Sequence, residues 1–88
     1  MRVQFRKSFD RDITKIKNRK ILLRVEEFIL TIKKATDPNQ ILHLKKITGS
    51  GSYYRIRMGD FRIGVSIEKN VVTFIRILHR KEIYHYFP

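Results

Sequence analysis

Cysteine is absent from the 88-residue sequence, and acidic side chains number only 8 against 20 lysines and arginines. Without cysteine there is neither a disulfide framework nor a thiolate metal site to support a small core, and a reducing cytoplasm is the expected compartment. No apolar run approaches the ~18 residues that a membrane-spanning helix needs. The opening Met1-Arg2-Val3-Gln4-Phe5-Arg6 reaches charge within two residues of any apolar one, so a secretory signal is not expected either. Internal repeats and low-complexity tracts are also missing. These absences leave one single-domain chain, residues 1–88, expected to be neither secreted nor membrane-spanning.

The apolar fraction of 42% suffices for one modest core. The dominant global feature is a net charge of +12. Residues 1–44 carry 11 basic and 5 acidic side chains and residues 45–88 carry 9 and 3, so each half is +6 and the excess is no detachable tail. Such a field attracts polyanions: nucleic acid, an anionic membrane surface or an acidic protein.

Hydrophobic periodicity predicts the elements. Met1, Val3 and Phe5 alternate with polar residues as in a half-buried strand. Ser8 is the expected N-cap of a short helix with Asp10 and Asp12 in its first turn and Phe9, Ile13 and Ile16 on one face. Asn18 ends or breaks it. A second helix, Arg19 to Ala35, carries Ile21, Leu22, Val25, Phe28, Ile29 and Ile32 on one stripe and stops at Asp37-Pro38-Asn39. After residue 52 the period changes from 3.6 to 2. Tyr54, Ile56 and Met58 alternate with Tyr53, Arg55 and Arg57. Gly59-Asp60 makes a turn, and Phe61, Ile63, Val65 and Ile67 follow in alternation with Arg62, Gly64, Ser66 and Glu68. Lys69-Asn70 is a second turn, and Val71 to Leu78 reads as a central or covered strand. Gly49-Ser50-Gly51-Ser52 reads as a flexible turn. The result is an α+β fold, β-α-α-β-β-β with a short C-terminal helical turn.

If Ile56 and Ile63 face the helices, strand geometry puts Arg55, Arg57 and Arg62 together on the other face. Clustered like charges on a sheet are destabilising, so a cluster without neighbouring acids points to a phosphate clamp, with solvated surface arginine as the plain alternative. The ending His79-Arg80-Lys81-Glu82-Ile83-Tyr84-His85-Tyr86-Phe87-Pro88 adds another arginine and a cluster of rings where the last strand stops, although Ile83, Tyr84 and Phe87 also suit a turn docked on the core. His43, His79 and His85 lack metal-ligand spacing, the acids form no pair suited to a metal-dependent nuclease, and no Gly-rich phosphate loop opens a helix. No cofactor or metal is expected.

Taken together, the N-terminal strand and helical hairpin, the stretch from Leu44-Lys45-Lys46-Ile47 through Tyr53-Tyr54-Arg55-Ile56-Arg57-Met58-Gly59-Asp60-Phe61-Arg62-Ile63, and the ending His79-Arg80…Tyr84 resemble the RelE/ParE toxin superfamily of type II toxin–antitoxin systems. The resemblance covers nearly the whole chain. It implies two helices on a mainly antiparallel, twisted sheet, and one of two activities: ribosome-dependent mRNA cleavage in RelE-like members, or poisoning of DNA gyrase in ParE-like members. Arg55, Arg57, Arg62, Arg80 and Tyr84 fill positions resembling the RNase site, which favours cleavage through attack of an mRNA 2′-hydroxyl on the adjoining phosphate. A non-enzymatic RNA-binding domain is the third alternative.

In that setting Arg62 and Arg80 are expected to stabilise the phosphorane and Tyr84 to steer a proton or stack on a base. The identity of the base stays open: Arg55 and Arg57 stand where the family often has lysine and cannot readily give up protons, which leaves His79 or His85 as possible proton carriers. The resemblance further implies that Lys45, Lys46, Arg76 and Lys81 contact ribosomal RNA, and that a cognate antitoxin neutralises the protein.

Overall fold

The computed structural model describes residues 1–47, 49 and 51–88. In chain order it contains β1 (Arg2–Phe5), α1 (Lys7–Lys15), α2 (Arg19–Lys34), a single 3-10 turn (Pro38–Gln40), β2 (Leu44–Lys46), β3 (Tyr53–Met58), β4 (Phe61–Glu68), β5 (Val71–His79) and α3 (Ile83–Tyr86). The five strands form one sheet in the order β1-β5-β4-β3-β2; β1 lies parallel to β5 and every other pair is antiparallel. The β4–β5 connection has left-handed φ values at both Lys69 and Asn70, the backbone that a two-residue hairpin turn requires.

One sheet face is apolar because apolar residues alternate along β3 and β4, while in β5 a one-residue bulge opposite Gly64 and Val65 turns both Phe74 and Ile77 to that face. Ile56, Ile63, Val65, Val72, Phe74 and Ile77 are buried there against Phe9 of α1 and Ile21, Val25 and Ile32 of α2. Each such side chain contributes about 1.5–3 kcal/mol by leaving water. Phe5, Phe9 and Phe74 form a ring cluster with centroids 5.2–5.7 Å apart, which locks β1 and α1 onto β5.

Several local expectations are corrected. Ser8 does not cap α1: the helix starts two residues earlier, with Arg6 as its N-cap, and the Ser8 hydroxyl donates to the Ile75 carbonyl. Asp12 lies beyond the first turn and is buried. Its Oδ2 accepts the Ile77 N–H at 3.0 Å, while the carboxylate binds the Arg76 guanidinium at 2.7 and 3.0 Å. The reason is topological. Pairing of β1 with β5 stops at Phe74, so the β5 backbone groups beyond it that point away from β4 have no strand partner. Ser8 and Asp12, one turn apart on α1, supply the missing donor and acceptor, respectively. Asn18 caps the second helix rather than breaking the first, its Oδ1 accepting from the Lys20 and Ile21 amides at 3.0 and 3.2 Å. Leu44–Lys46, not expected as a strand, forms the sheet's outer edge, where its exposed lysines discourage pairing with another chain. Of the expected flexible turn, Gly49 and Gly51 have left-handed φ, and Ser50 lies outside the described residues.

Candidate active site on the outer sheet face

Alternation that buries Ile56 and Ile63 turns Arg55 and Arg57 of β3 and Arg62 of β4 to the opposite face. The register makes Arg57 and Arg62 direct cross-strand partners and sets Arg55 opposite Gly64. Gly64 is the reason the face can be built upon. A Cβ there would stand 2.6 Å from the Phe87 ring, so only glycine lets the C-terminal segment lie flat on the sheet. Ile83 and Phe87 are buried in this contact, and Tyr53 meets Phe87 edge-on at 5.6 Å. With these anchors fixed, Tyr84 points outward, 68% exposed, and its ring lies 4.5 Å from the Arg55 guanidinium carbon. Stacking of this kind orients the planar guanidinium while leaving its N–H groups free along the edge.

The result is a groove of about 470 Å³ lined by His43, Leu44, Lys45, Arg55, Arg57, Arg62 and Tyr84. No carboxylate is among these residues. The paired arginines relieve their repulsion by turning apart. Arg62 donates to the carbonyls of Gly59 and Phe61 at 2.8 and 2.9 Å, holding it against the β3–β4 turn. Arg57 reaches the other way, to within 3.4 Å of His43 Nδ1. Backbone carbonyls neutralise no charge, so the groove keeps its positive potential.

The structure therefore brings together Arg55, Arg57, Arg62, Tyr84 and Lys45 of the residues singled out in the sequence. Arg80 is exposed at the neighbouring end of β5, where its N–H donates to the Asp60 carbonyl at 2.8 Å, and it is not among the residues lining the groove. Lys46 and Lys81 are exposed outside it. Arg76 is placed elsewhere. Among the described residues the only ion pair joins it to Asp12, and the hydrogen bond it donates to that carboxylate pushes the guanidinium pKa above its ordinary value. It is committed to holding α1 on β5 rather than free for RNA. His79 shares this second groove of about 690 Å³ with Arg76, Asp12, Glu82 and Tyr86, and its Nδ1 accepts the Lys81 N–H at 3.2 Å. His85 is exposed on α3 beside Tyr86, ring centroids 6.3 Å apart. Neither expected proton carrier lines the arginine groove.

His43, which sequence reasoning considered only as a metal ligand, does line it. Its φ of +62° places it in the left-handed region that favours Asn, Asp and His among non-glycine residues, immediately before β2. No periodic pattern reports such a position.

A strand, a two-helix layer and an arginine-bearing sheet closed by a C-terminal turn define a small basic toxin of the RelE/ParE architecture, and the comparisons agree. A family model described as "ParE toxin of type II toxin-antitoxin system, parDE" matches residues 3–84, and the chain belongs to that family. It is 39% identical over 89 residues to Toxin RelE3 of Methanocaldococcus jannaschii, covering the full length of both. It also resembles the crystal structure of a RelB–RelE antitoxin–toxin complex from Methanococcus jannaschii, with 38% identity, a TM-score of 0.82 and 97% and 99% of the two chains covered. The toxin–antitoxin complex RelBE2 of Mycobacterium tuberculosis matches at 26% identity and a TM-score of 0.71, covering 90% of each chain.

Proposed function

We propose that this toxin is a metal-independent endoribonuclease that cuts mRNA on the ribosome and is neutralised by a cognate antitoxin. The observation that carries the proposal is the convergence of Arg55, Arg57, Arg62 and Lys45 on one groove that lacks a carboxylate. In the reaction an mRNA 2′-oxygen attacks the adjoining phosphorus, the bond to the 5′-oxygen breaks, and negative charge grows on the phosphorane oxygens. Arg57 and Arg62 reach the groove from facing strands, so a phosphate seated between them would draw both guanidinium groups from their resting partners. Donors placed on the developing charge typically supply ~10²–10³ in rate each. Arg55, held under Tyr84, orients the neighbouring nucleotide, and the exposed Tyr84 ring offers it a stacking face. Arg80, at the adjoining end of β5, is assigned to a flanking phosphate. The antitoxin is supported by the two relatives above whose structures contain one, and the excess positive charge suits an acidic segment.

Primer extension on cellular mRNA after brief induction tests the proposal. In-frame cuts that disappear when translation is blocked, and that are lost in folded Arg57→Ala and Arg62→Ala variants, are expected. The family's description as ParE toxins makes DNA gyrase the alternative target. Intact mRNA accompanied by gyrase-linked DNA breaks would replace the nuclease with that activity.

A further inference from the structure

The structure assigns the proton-accepting step of this cleavage to His43, an assignment that rests on the nuclease proposed above. Among the side-chain classes lining the groove, guanidinium has no acceptor site, an ammonium has none until it loses a proton, and a phenol titrates near ~10. Imidazole alone offers a lone pair at neutral pH. His79 and His85 lie outside the groove, which leaves one imidazole within it.

The contact at His43 also sets which nitrogen acts. Arg57 can only donate, so Nδ1, at 3.4 Å, is the acceptor and the ring proton sits on Nε2. The lone pair is thereby covered at rest by the same arginine that the scissile phosphate attracts. Binding of the phosphate transfers Arg57 to the phosphate oxygens and uncovers Nδ1 beside the nucleophile. The backbone ties the two residues as well, since the Arg57 N–H donates to the His43 carbonyl at 3.4 Å. Arg55, Arg62, Lys45 and Tyr84 face His43 across the groove, and from α2 Arg24 and Glu27 face it across an adjoining hollow.

In the step, the 2′-O–H proton passes to Nδ1, the 2′-O–P bond forms and the P–O5′ bond breaks. The departing 5′-oxygen takes a proton from solvent and the imidazolium returns one to solvent. The products are a 2′,3′-cyclic phosphate and a 5′-hydroxyl, with no net change in protons.

The test is single-turnover cleavage on mRNA-programmed ribosomes over the pH range in which the complex stays intact. The variants are His43→Asn, which tolerates the left-handed backbone, and His43→Gln as a second. Both should cleave ~10²–10⁴-fold more slowly than the unsubstituted protein. They should also lose the plateau of its pH–rate profile, their rates rising about tenfold per pH unit as hydroxide replaces the base. Added imidazole should restore part of the rate in His43→Ala. Folded variants that cleave with the original rate and profile, or a uniform loss that neither pH nor imidazole relieves, would overturn the assignment while leaving the nuclease standing. If the unsubstituted protein makes no cuts, both fall.

Discussion

On one face of the sheet the Arg55 guanidinium lies 4.5 Å from the ring of Tyr84; beside the end of α1 the Arg76 guanidinium lies 5.5 Å from the ring of Tyr86. Each pair stands in a groove that also holds a histidine, His43 in the first and His79 in the second. The Arg-Tyr-His trio is the same, and what differs is the presence of carboxylates, Asp12 and Glu82 in the second groove and none in the first. Arg76 is closed off by the buried carboxylate of Asp12, which also completes the β5 ladder, so this groove is structural. The first groove has three arginines and a lysine and no acid, and its guanidinium groups lean on carbonyls and an imidazole that a phosphate can displace. An arginine beside a tyrosine is thus not a site by itself; whether a carboxylate already occupies it decides.

Substitutions can break this contrast from both sides. The largest effect is expected on activity at Arg62→Ala or Arg57→Ala: each should lower cleavage ~10²–10³-fold. Thermal stability should stay level or rise slightly, because a cross-strand like-charge pair is relieved. A loss of stability matching the loss of activity would remove the distinction between the grooves. Asp12→Ala should do the reverse. It strands Arg76 and the Ile77 amide, and destabilises by about 2–3 kcal/mol in chemical denaturation, less than the ~3–5 of a fully buried pair because Arg76 keeps 24% of its surface exposed. The raised pKa of Arg76 means that its contribution is complete below its unfolded value and lost only in strongly alkaline solution, so this deficit should be constant through neutral and mildly alkaline pH.

A third substitution couples packing to the site. Gly64→Ala places a methyl against the Phe87 ring and should cost about 1–3 kcal/mol by overpacking, while shifting Tyr84 and reducing cleavage. Unchanged melting and cleavage would show that the C-terminal segment does not position the groove. The smallest effect is expected for Arg55→Lys, which keeps the charge but gives up the planar stack on Tyr84. A few-fold loss of cleavage is anticipated, in line with the ~0.5–1 kcal/mol of an exposed cation–π contact.

The elements that were legible in the sequence are those set by strictly local periods. A two-residue repeat identified the outward face of Arg55, Arg57 and Arg62 without any partner strand, and the 3.6-residue repeat identified Ile21, Val25 and Ile32 as the inward face of α2. The three-residue strand Leu44–Lys46 is too short for alternation to register, and its existence follows from pairing with Arg55 and its neighbours. Arg76 looked like one more free cation because its partner, Asp12, is 64 residues away. Tyr84 and Arg80 stood out at the end of the last strand, and their roles came through resemblance to a toxin family. Tyr84 joined the groove, carried there by Ile83 and Phe87, and Arg80 did not join its lining.

By itself the sequence determined the α+β plan, the excess of positive charge and the sharing of one sheet face by three arginines, since alternation and composition are properties of the chain before it folds. Tertiary structure alone decided which cations are neutralised, which histidine stands among the arginines and why position 64 is glycine. Those depend on contacts between segments distant in the chain: a helix substituting for a strand that ends too soon, a left-handed residue at the mouth of an edge strand, and an aromatic ring laid flat on the sheet.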